Sequence, residues 1–424
     1  MSSSPASNSS LPNRWIIAIA AFCMQLALGA VYAWSVFLPS VIKLYSTTRV
    51  SANLTFTLAL VALGITAGFG GYFNSRFGPR AIAMVGGIFY GIGIILSGFV
   101  APNLFLLYLT YGIIGGIGLG LGYIVALAML IKWFPDRRGF ITGLAVAGFG
   151  GGAAITGPIA ANFLLPAFKL NTTFIILGIA YLVIVVVAAQ FFRRAPDGYA
   201  PAGWTPTVRE QTARSVREYT LGEALRSPRW YVLWLILALN VSAGAALISV
   251  ASPLATAFTH VAAGVASILV ITISIFNGAG RLFWGWLSDF IGRPFTFLSI
   301  FVVQIAAFAL MPLISNFALL FIPAAIIGLC YGGGFGTMPA FAADFFGPKN
   351  AGTIYGAMLT AWSAGAIVGP ILITSFGTTS HPDYATPLYI IAVIMLVSVA
   401  LPLVARAMAR RMGGMIEVTA GTGQ

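Results

Sequence analysis

Apolar runs long enough to cross a bilayer recur from one end of the chain to the other, and few folds can absorb them. They lie at roughly 15–42, 53–73, 81–100, 104–132, 140–164, 172–192, 230–257, 263–287, 295–315, 317–343, 351–376 and 384–407 of the 424 residues. About 20 apolar residues in a helix span a hydrocarbon core of roughly 30 Å. Within that core every backbone polar group needs a partner inside the protein, so only helices and closed barrels cross it. Barrel strands would alternate apolar and polar residues, and these runs do not. The chain, 59% hydrophobic and 7% charged, reads as an all-α membrane protein of twelve transmembrane helices.

The longest interruption, 193–229, divides the runs six and six. The expected organisation is a disordered polar tail at 1–13, a six-helix half at 14–192, a linker at 193–229, a second half at 230–411 and a tail at 412–424. In the linker, "TLGEALRSP" has Thr220 followed three residues later by Glu223. This capping-box spacing predicts a short amphipathic surface helix. The net charge of +13 would suggest a nucleic-acid partner in a soluble protein. Here it follows the tendency of Lys and Arg to collect in cytoplasmic loops. With the N-terminus inside, 18 of the 22 basic residues fall on the inner side, leaving Lys43, Arg49 and Lys169 outside and Arg281 within a span. Both termini are therefore expected in the cytoplasm, in a multi-pass protein of the cell membrane. Cys23 and Cys330 both lie in apolar runs, which argues against a disulfide framework.

Arg281, in "IFNGAGRLFWGWLSD", is the one basic residue away from the ends of a run. It precedes Asp289 by eight residues, about 12 Å of helix, so its Cα belongs in the hydrocarbon region. A charge there costs roughly 2.5–3.5 kcal/mol on insertion scales. None of the nine acids (Asp136, Asp197, Glu210, Glu218, Glu223, Asp289, Asp344, Asp383 and Glu417) falls mid-span. Pairing with a carboxylate on another helix is thus disfavoured. An uncompensated guanidinium is a fork of donors that matches a carboxylate in two parallel hydrogen bonds. Snorkelling and pairing with backbone carbonyls are the alternatives. Asn277 lies one turn away on the same face.

The two halves echo each other. "GYFNSRFGPR" follows the second run and "GWLSDFIGRP" the eighth, with Gly71 and Gly78 matched by Gly285 and Gly292. Gly143 followed by "TGPI" is matched by Gly356 followed by "VGPI". Repeats of like direction indicate an axis along the membrane normal and a substrate site between the halves, as in the major facilitator fold. The two loop segments resemble the signature of that superfamily, with Ser75 where the first copy usually has Asp and Asp289 in place in the second. "GLGLGYIVALAMLIKWFPDRRGFITGLAVAGFGGGA" and "NGAGRLFWGWLSDFIGR" look like its monocarboxylate transporter and oxalate/formate antiporter branches. The resemblance covers roughly residues 13–410.

What the resemblance implies is a substrate-binding role for Arg281 and a cavity lined by Tyr331 and Phe335 of "LCYGGGFGTMP", by Tyr32 and by Tyr123. Packing is the alternative for each aromatic. Asn277 stands where the proton-coupled members look to have an Asp, and Trp362 where the oxalate/formate pattern has a lysine. One cation and a bulky indole suit a small monoanion better than a dianion. Arg76, Asp136, Asp289 and Asp344 are expected in charge networks at the inner mouth that latch the outward-facing state. The expected function is secondary active transport of small monocarboxylates such as lactate or pyruvate, by alternating access and proton-coupled symport, with organic-anion exchange as runner-up. A receptor without turnover is a third reading. The implied partners are a small carboxylate, protons and the lipid bilayer, with no nucleic acid, and the protein is expected to be a monomer. No catalytic constellation, cofactor motif or metal-ligand spacing stands out, so an enzyme is not expected.

Overall fold

The computed structural model describes residues 11–196, 199–201, 218–347 and 350–421, all helices and short connections with no strand among them. Eleven helical stretches are long and apolar enough to cross a membrane. One of them, Gly143–Gln190, is 48 residues long, about 70 Å at 1.5 Å per residue, too long for one crossing. It is broken at Lys169, whose φ of 57° and ψ of 180° are not helical. The break makes two spans and brings the total to twelve.

In chain order the spans are α1 (Arg14–Leu44), α2 (Arg49–Phe77), α3 (Pro79–Ser97), α4 (Leu104–Trp133), α5 (138–168), α6 (170–190), α7 (Pro228–Thr259), α8 (Ala263–Ile291), α9 (Arg293–Leu310), α10 (Phe317–Phe346), α11 (Ala351–Thr374) and α12 (Ala385–Arg410). The helix of α12 runs on to Gly421, into the segment expected to be a tail. Residues 1–10 of the expected N-terminal tail, residues 202–217 of the linker and 422–424 lie outside the described residues. At the end of the linker a short surface helix, Leu221–Leu225, starts in a capping box: Glu223 N–H donates to Thr220 Oγ1 and Thr220 N–H donates to Glu223 Oε2.

The echo between the halves has a backbone cause. Gly78 and Gly292 end α2 and α8 at φ 85° and 82° with ψ near 160° and 150°. That region is open essentially to glycine alone. Each half turns its second helix into its third through the same sharp corner. Within the halves α3 packs on α6, and α8 packs on α10. The halves meet along α2–α11, α5–α8 and α1–α7, and the candidate site lies where these seams converge.

Candidate anion site between the halves

Arg281 is 1% exposed, at the centre of the bundle. Its position is set by glycine. A Cβ on Gly332 would collide with the carbonyl oxygen of Asn277, and one on Gly336 with that of Arg281. The α10 backbone therefore rides directly on that of α8, as small residues allow between membrane helices. Arg281 Nε donates to Asn277 Oδ1 at 3.3 Å. The guanidinium carbon stands 4.9 Å from the ring centre of Phe335 and 5.9 Å from that of Phe149. A cation against ring faces gains about 0.5–2 kcal/mol each, a partial offset to burial. Neither terminal nitrogen makes a well-aligned hydrogen bond among the described residues, the Tyr123 hydroxyl stands in polar contact with the guanidinium, and no carboxylate there forms an ion pair with it.

Around the cation runs a closed ring of aromatic side chains. Tyr32 and Tyr331 hydroxyls are 2.9 Å apart, and Trp362 Nε1 donates to Tyr331 Oη at 3.2 Å. Ring centres then follow at 5.4 Å from Tyr331 to Phe335, 4.4 Å to Trp362, 5.3 Å to Tyr123, 5.1 Å to Phe149 and 5.4 Å back to Tyr32. The members come from α1, α4 and α5 of one half and α10 and α11 of the other. Tyr32 reaches the centre because α1 tightens into a 3-10 turn at Ala30–Ala33. Tyr331 is held from behind: Asn240 Nδ2 donates to its carbonyl at 3.3 Å, and Gln304 Nε2 donates to Asn240 Oδ1 at 3.2 Å.

The structure therefore brings together Arg281, Asn277, Tyr32, Tyr123, Tyr331, Phe335 and Trp362. It adds two residues. Phe149 closes the ring, and Tyr355 of α11 lies within electrostatic reach of both Tyr123 and Arg281. Tyr355 is seven residues before Trp362, two helical turns on the same face, and that spacing was the available signal. Phe149 sits in a glycine-rich stretch that periodicity does not resolve. The hydroxyls of Tyr123 and Tyr355, Asn277 Nδ2 and both terminal nitrogens of Arg281 are buried without a well-aligned hydrogen bond among the described residues, with Tyr123 in polar contact with both Tyr355 and Arg281. Each orphaned polar group costs about 1–3 kcal/mol. Most of this set are donors around one cation, and a small anion with several lone pairs answers them together. Beside the ring is a cavity of about 10 Å³, lined in part by Tyr32, Val270, Ile273, Ser274 and Asn277, room for roughly one water.

The inner-mouth candidates behave differently from expectation. Asp136 takes two hydrogen bonds from Arg14, at 2.6 and 3.0 Å, and Arg137 is 3.8 Å away. Hydrogen bonding to Arg14 holds the Asp136 carboxyl below the usual range. Arg293 serves Asp289 at 2.7 Å and Asp344 at 3.4 Å. Among the described residues each of these pairs lies within one half, and Arg293 follows Asp289 by one helical turn. Arg76 is exposed, donates to Tyr72 Oη at 3.4 Å, and pairs with no acid among the described residues. The side chain of Ser75 lies outside the described residues.

A polar latch between the halves exists at the opposite end of the bundle. Arg49, buried at the start of α2, donates to the carbonyls of Ile373, Phe376 and Thr378 at the end of α11 and lies over the ring of Tyr384. Asn53 Nδ2 donates to Pro370 O at 3.3 Å one turn further in. Sequence reading counted Arg49 only as an outer-loop cation, because partners more than 300 residues away leave no local pattern.

Comparison with known proteins agrees with this architecture. The family model described as Major Facilitator Superfamily matches residues 17–258 and 233–413. The chain is 30% identical over 376 residues to the oxalate:formate antiporter of Oxalobacter formigenes, covering 87% of each. It is 27% identical over 282 residues to human (Homo sapiens) monocarboxylate transporter 11, covering 65% of this chain and 56% of that protein. A bacterial homolog to the human lysosomal transporter Spinster, solved inward-facing and occupied, superposes with a TM-score of 0.70 at 17% identity over 94% of this chain and 98% of that one; at that identity the match speaks for the fold alone. The protein is a multi-pass membrane transporter, and the chain belongs to the Major Facilitator Superfamily.

Proposed function

We propose that the protein moves small monocarboxylate anions of the lactate or pyruvate kind by alternating access, with the carboxylate on the terminal nitrogens of Arg281. The observation that carries this reading is a fully buried guanidinium that pairs with no carboxylate, and whose terminal nitrogens make no well-aligned hydrogen bond, among the described residues. Tyr123 and Tyr355 offer further hydroxyls, and Phe335 with Trp362 bounds the size. Trp362 fills the place at which a second cation would favour a dianion. The steep charge bias supports a cytoplasmic side at the end carrying Arg14, Arg76, Arg80 and Arg293, with both termini there.

Proton-coupled symport is the coupling we favour. A symporter must bring its site back without an anion. The two ring faces and Asn277 Oδ1 stabilise the bare cation for that return. The proton then travels on the substrate as the neutral acid. One observation favours exchange instead: the groups around Arg281 are phenols, rings, an indole and an amide, with no carboxylate to shuttle a proton.

Uptake of labelled L-lactate into proteoliposomes, with and without an inward pH gradient and with Arg281→Ala alongside, separates these readings. Accumulation that follows the gradient and vanishes in the variant supports symport. Uptake only against an internal monocarboxylate means exchange. Uptake undiminished in Arg281→Ala overturns the site.

A further inference from the structure

Where α8 packs on α5, a serine of one half stands inside a helix of the other. Ala154 N–H donates to Ser274 Oγ at 3.1 Å, and Ser274 Oγ donates to the carbonyl of Gly150 at 2.7 Å. Gly150 and Ala154 are four residues apart on α5, the pair that an unbroken helix joins directly. The helix is interrupted at this point: one segment ends at Gly151 and the next begins at Ala153. Gly152 between them keeps helical angles, φ −60° and ψ −37°. The rung is therefore opened by the inserted hydroxyl and not by a rotation of the chain. Gly150 permits the close approach, since a Cβ there would meet the backbone nitrogen of Gly278 at 2.8 Å. Pro158 loosens the same turn from the other side, because it has no N–H to give to the Ala154 carbonyl.

These polar groups have a second complete arrangement. If α8 draws away, Ala154 N–H can return to the Gly150 carbonyl with almost no change in backbone angle. The Ser274 hydroxyl can then bond back to the Val270 carbonyl, one turn earlier in α8, as helical serines do. Ser267 already makes such a bond to the Gly264 carbonyl, at 2.6 Å. Neither arrangement orphans a group, whereas a backbone group stranded in hydrocarbon is costly. Ser274 stands seven residues before Arg281, about 10 Å along α8 toward the end that Arg49 latches. It also lines the small cavity beside Tyr32.

We infer, building on the alternating access proposed above, that Ser274 is a positioning residue of the transport cycle. Its hydroxyl closes the seam between α5 and α8 by standing in for one rung of α5. It withdraws when that end of the bundle opens, and the rung reforms. The halves part at this point without stranding a polar group, whichever anion Arg281 carries.

Pulsed electron spin resonance on the full chain in lipid nanodiscs tests this. Spin labels go on cysteines introduced at Ile159 and Val265, exposed positions near that end of α5 and α8, with Cys23 and Cys330 replaced by alanine. Ser274→Ala removes the closed arrangement and spares the open one. The ratio of short to long distances should fall by about fivefold, the worth of one net hydrogen bond. Ser274→Thr keeps the hydroxyl, and its added methyl has the cavity to enter, so the ratio should return toward wild type. Ser267→Ala makes the same change to a hydroxyl bonded within α8 and should leave the ratio alone. Distributions that coincide in wild type and Ser274→Ala overturn the inference. If two distances are then seen, alternation stands without it; if one is seen, alternation falls as well. An equal shift in Ser267→Ala, or no recovery in Ser274→Thr, also overturns the role of the hydroxyl.

Discussion

The hydroxyls of Tyr32 and Tyr331 meet at 2.9 Å, one from each half of the chain. Tyr331 also accepts the Trp362 indole N–H, so one phenol ties the facing half to α11 at the level of Arg281. Removing either hydroxyl should loosen the closed site. Tyr32→Phe and Tyr331→Phe are each expected to lower the apparent affinity for lactate by about fivefold, the worth of one hydrogen bond. The double variant should fall short of the product, because both changes remove the same bond. Uptake kinetics of the four proteins check this; independent effects would mean the bond is idle.

Arg281→Lys retains the charge and loses the fork. A lysine cannot give a carboxylate two parallel hydrogen bonds. Loss of one charged hydrogen bond predicts affinity at least about tenfold weaker. Arg281→Ala should abolish uptake. Substrate-induced thermal stabilisation in detergent reads binding apart from transport, and the order wild type, Lys, Ala is the expected one.

Trp362→Lys places a second cation beside the first and removes the largest ring from the cage. The variant should gain sensitivity to oxalate as a competitor while its preference for lactate falls. Inhibition of labelled lactate uptake by unlabelled oxalate measures the change. If oxalate competes equally with both proteins, Trp362 does not set the charge preference.

Arg49→Ala cuts three carbonyl contacts that join α2 to the end of α11. The end of the bundle opposite the arginine-rich one should open more often. A cysteine placed at Ala251, buried in α7 where it lines the small cavity beside Tyr32, should then react faster with a water-soluble maleimide in the variant than in the wild-type background. Equal rates would make Arg49 a local cap of α11 alone.

The Arg14–Asp136 pair gives a pH dependence of definite sign. Arg14 lowers the carboxyl pKa in the folded state. Its contribution is fully present above the unfolded Asp value, about 3.9, and is lost as pH falls through the lowered folded value. The two side chains are partly buried at the edge of the bundle, and with solvent screening the pair is worth about 1 kcal/mol. Asp136→Asn should therefore reduce thermal stability slightly at pH 7, and the difference should shrink as the pH falls below about 3.9.

The spans, the break between the halves and the family were legible because apolar length and net charge are local properties. The buried Arg281 was legible for the same reason: a cation in an apolar run stands out. Tyr32, Tyr123, Tyr331 and Trp362 came from the resemblance, and periodicity alone would not have separated them from packing residues. Phe149, Asn240 and Gln304 were missed because their roles are contacts with distant helices. By contrast the break at Lys169 was legible, because the apolar runs stop at 164 and resume at 172 with the lysine between them. The inner-mouth acids were read as members of charge networks, and a sequence shows the charges but not which neighbour each one takes.

The seating of α10 on α8 through Gly332 and Gly336 has a mechanical consequence. With backbone against backbone, Arg281, Tyr331 and Phe335 have no slack between them and travel as a single block. On the proposed reading the cargo meets one preset jaw on α8 and α10, and a facing jaw that carries Tyr32, Tyr123 and Phe149. Retuning this carrier for a new cargo is best begun there, where a changed side chain alters the bite without shifting the hinge of the grip itself.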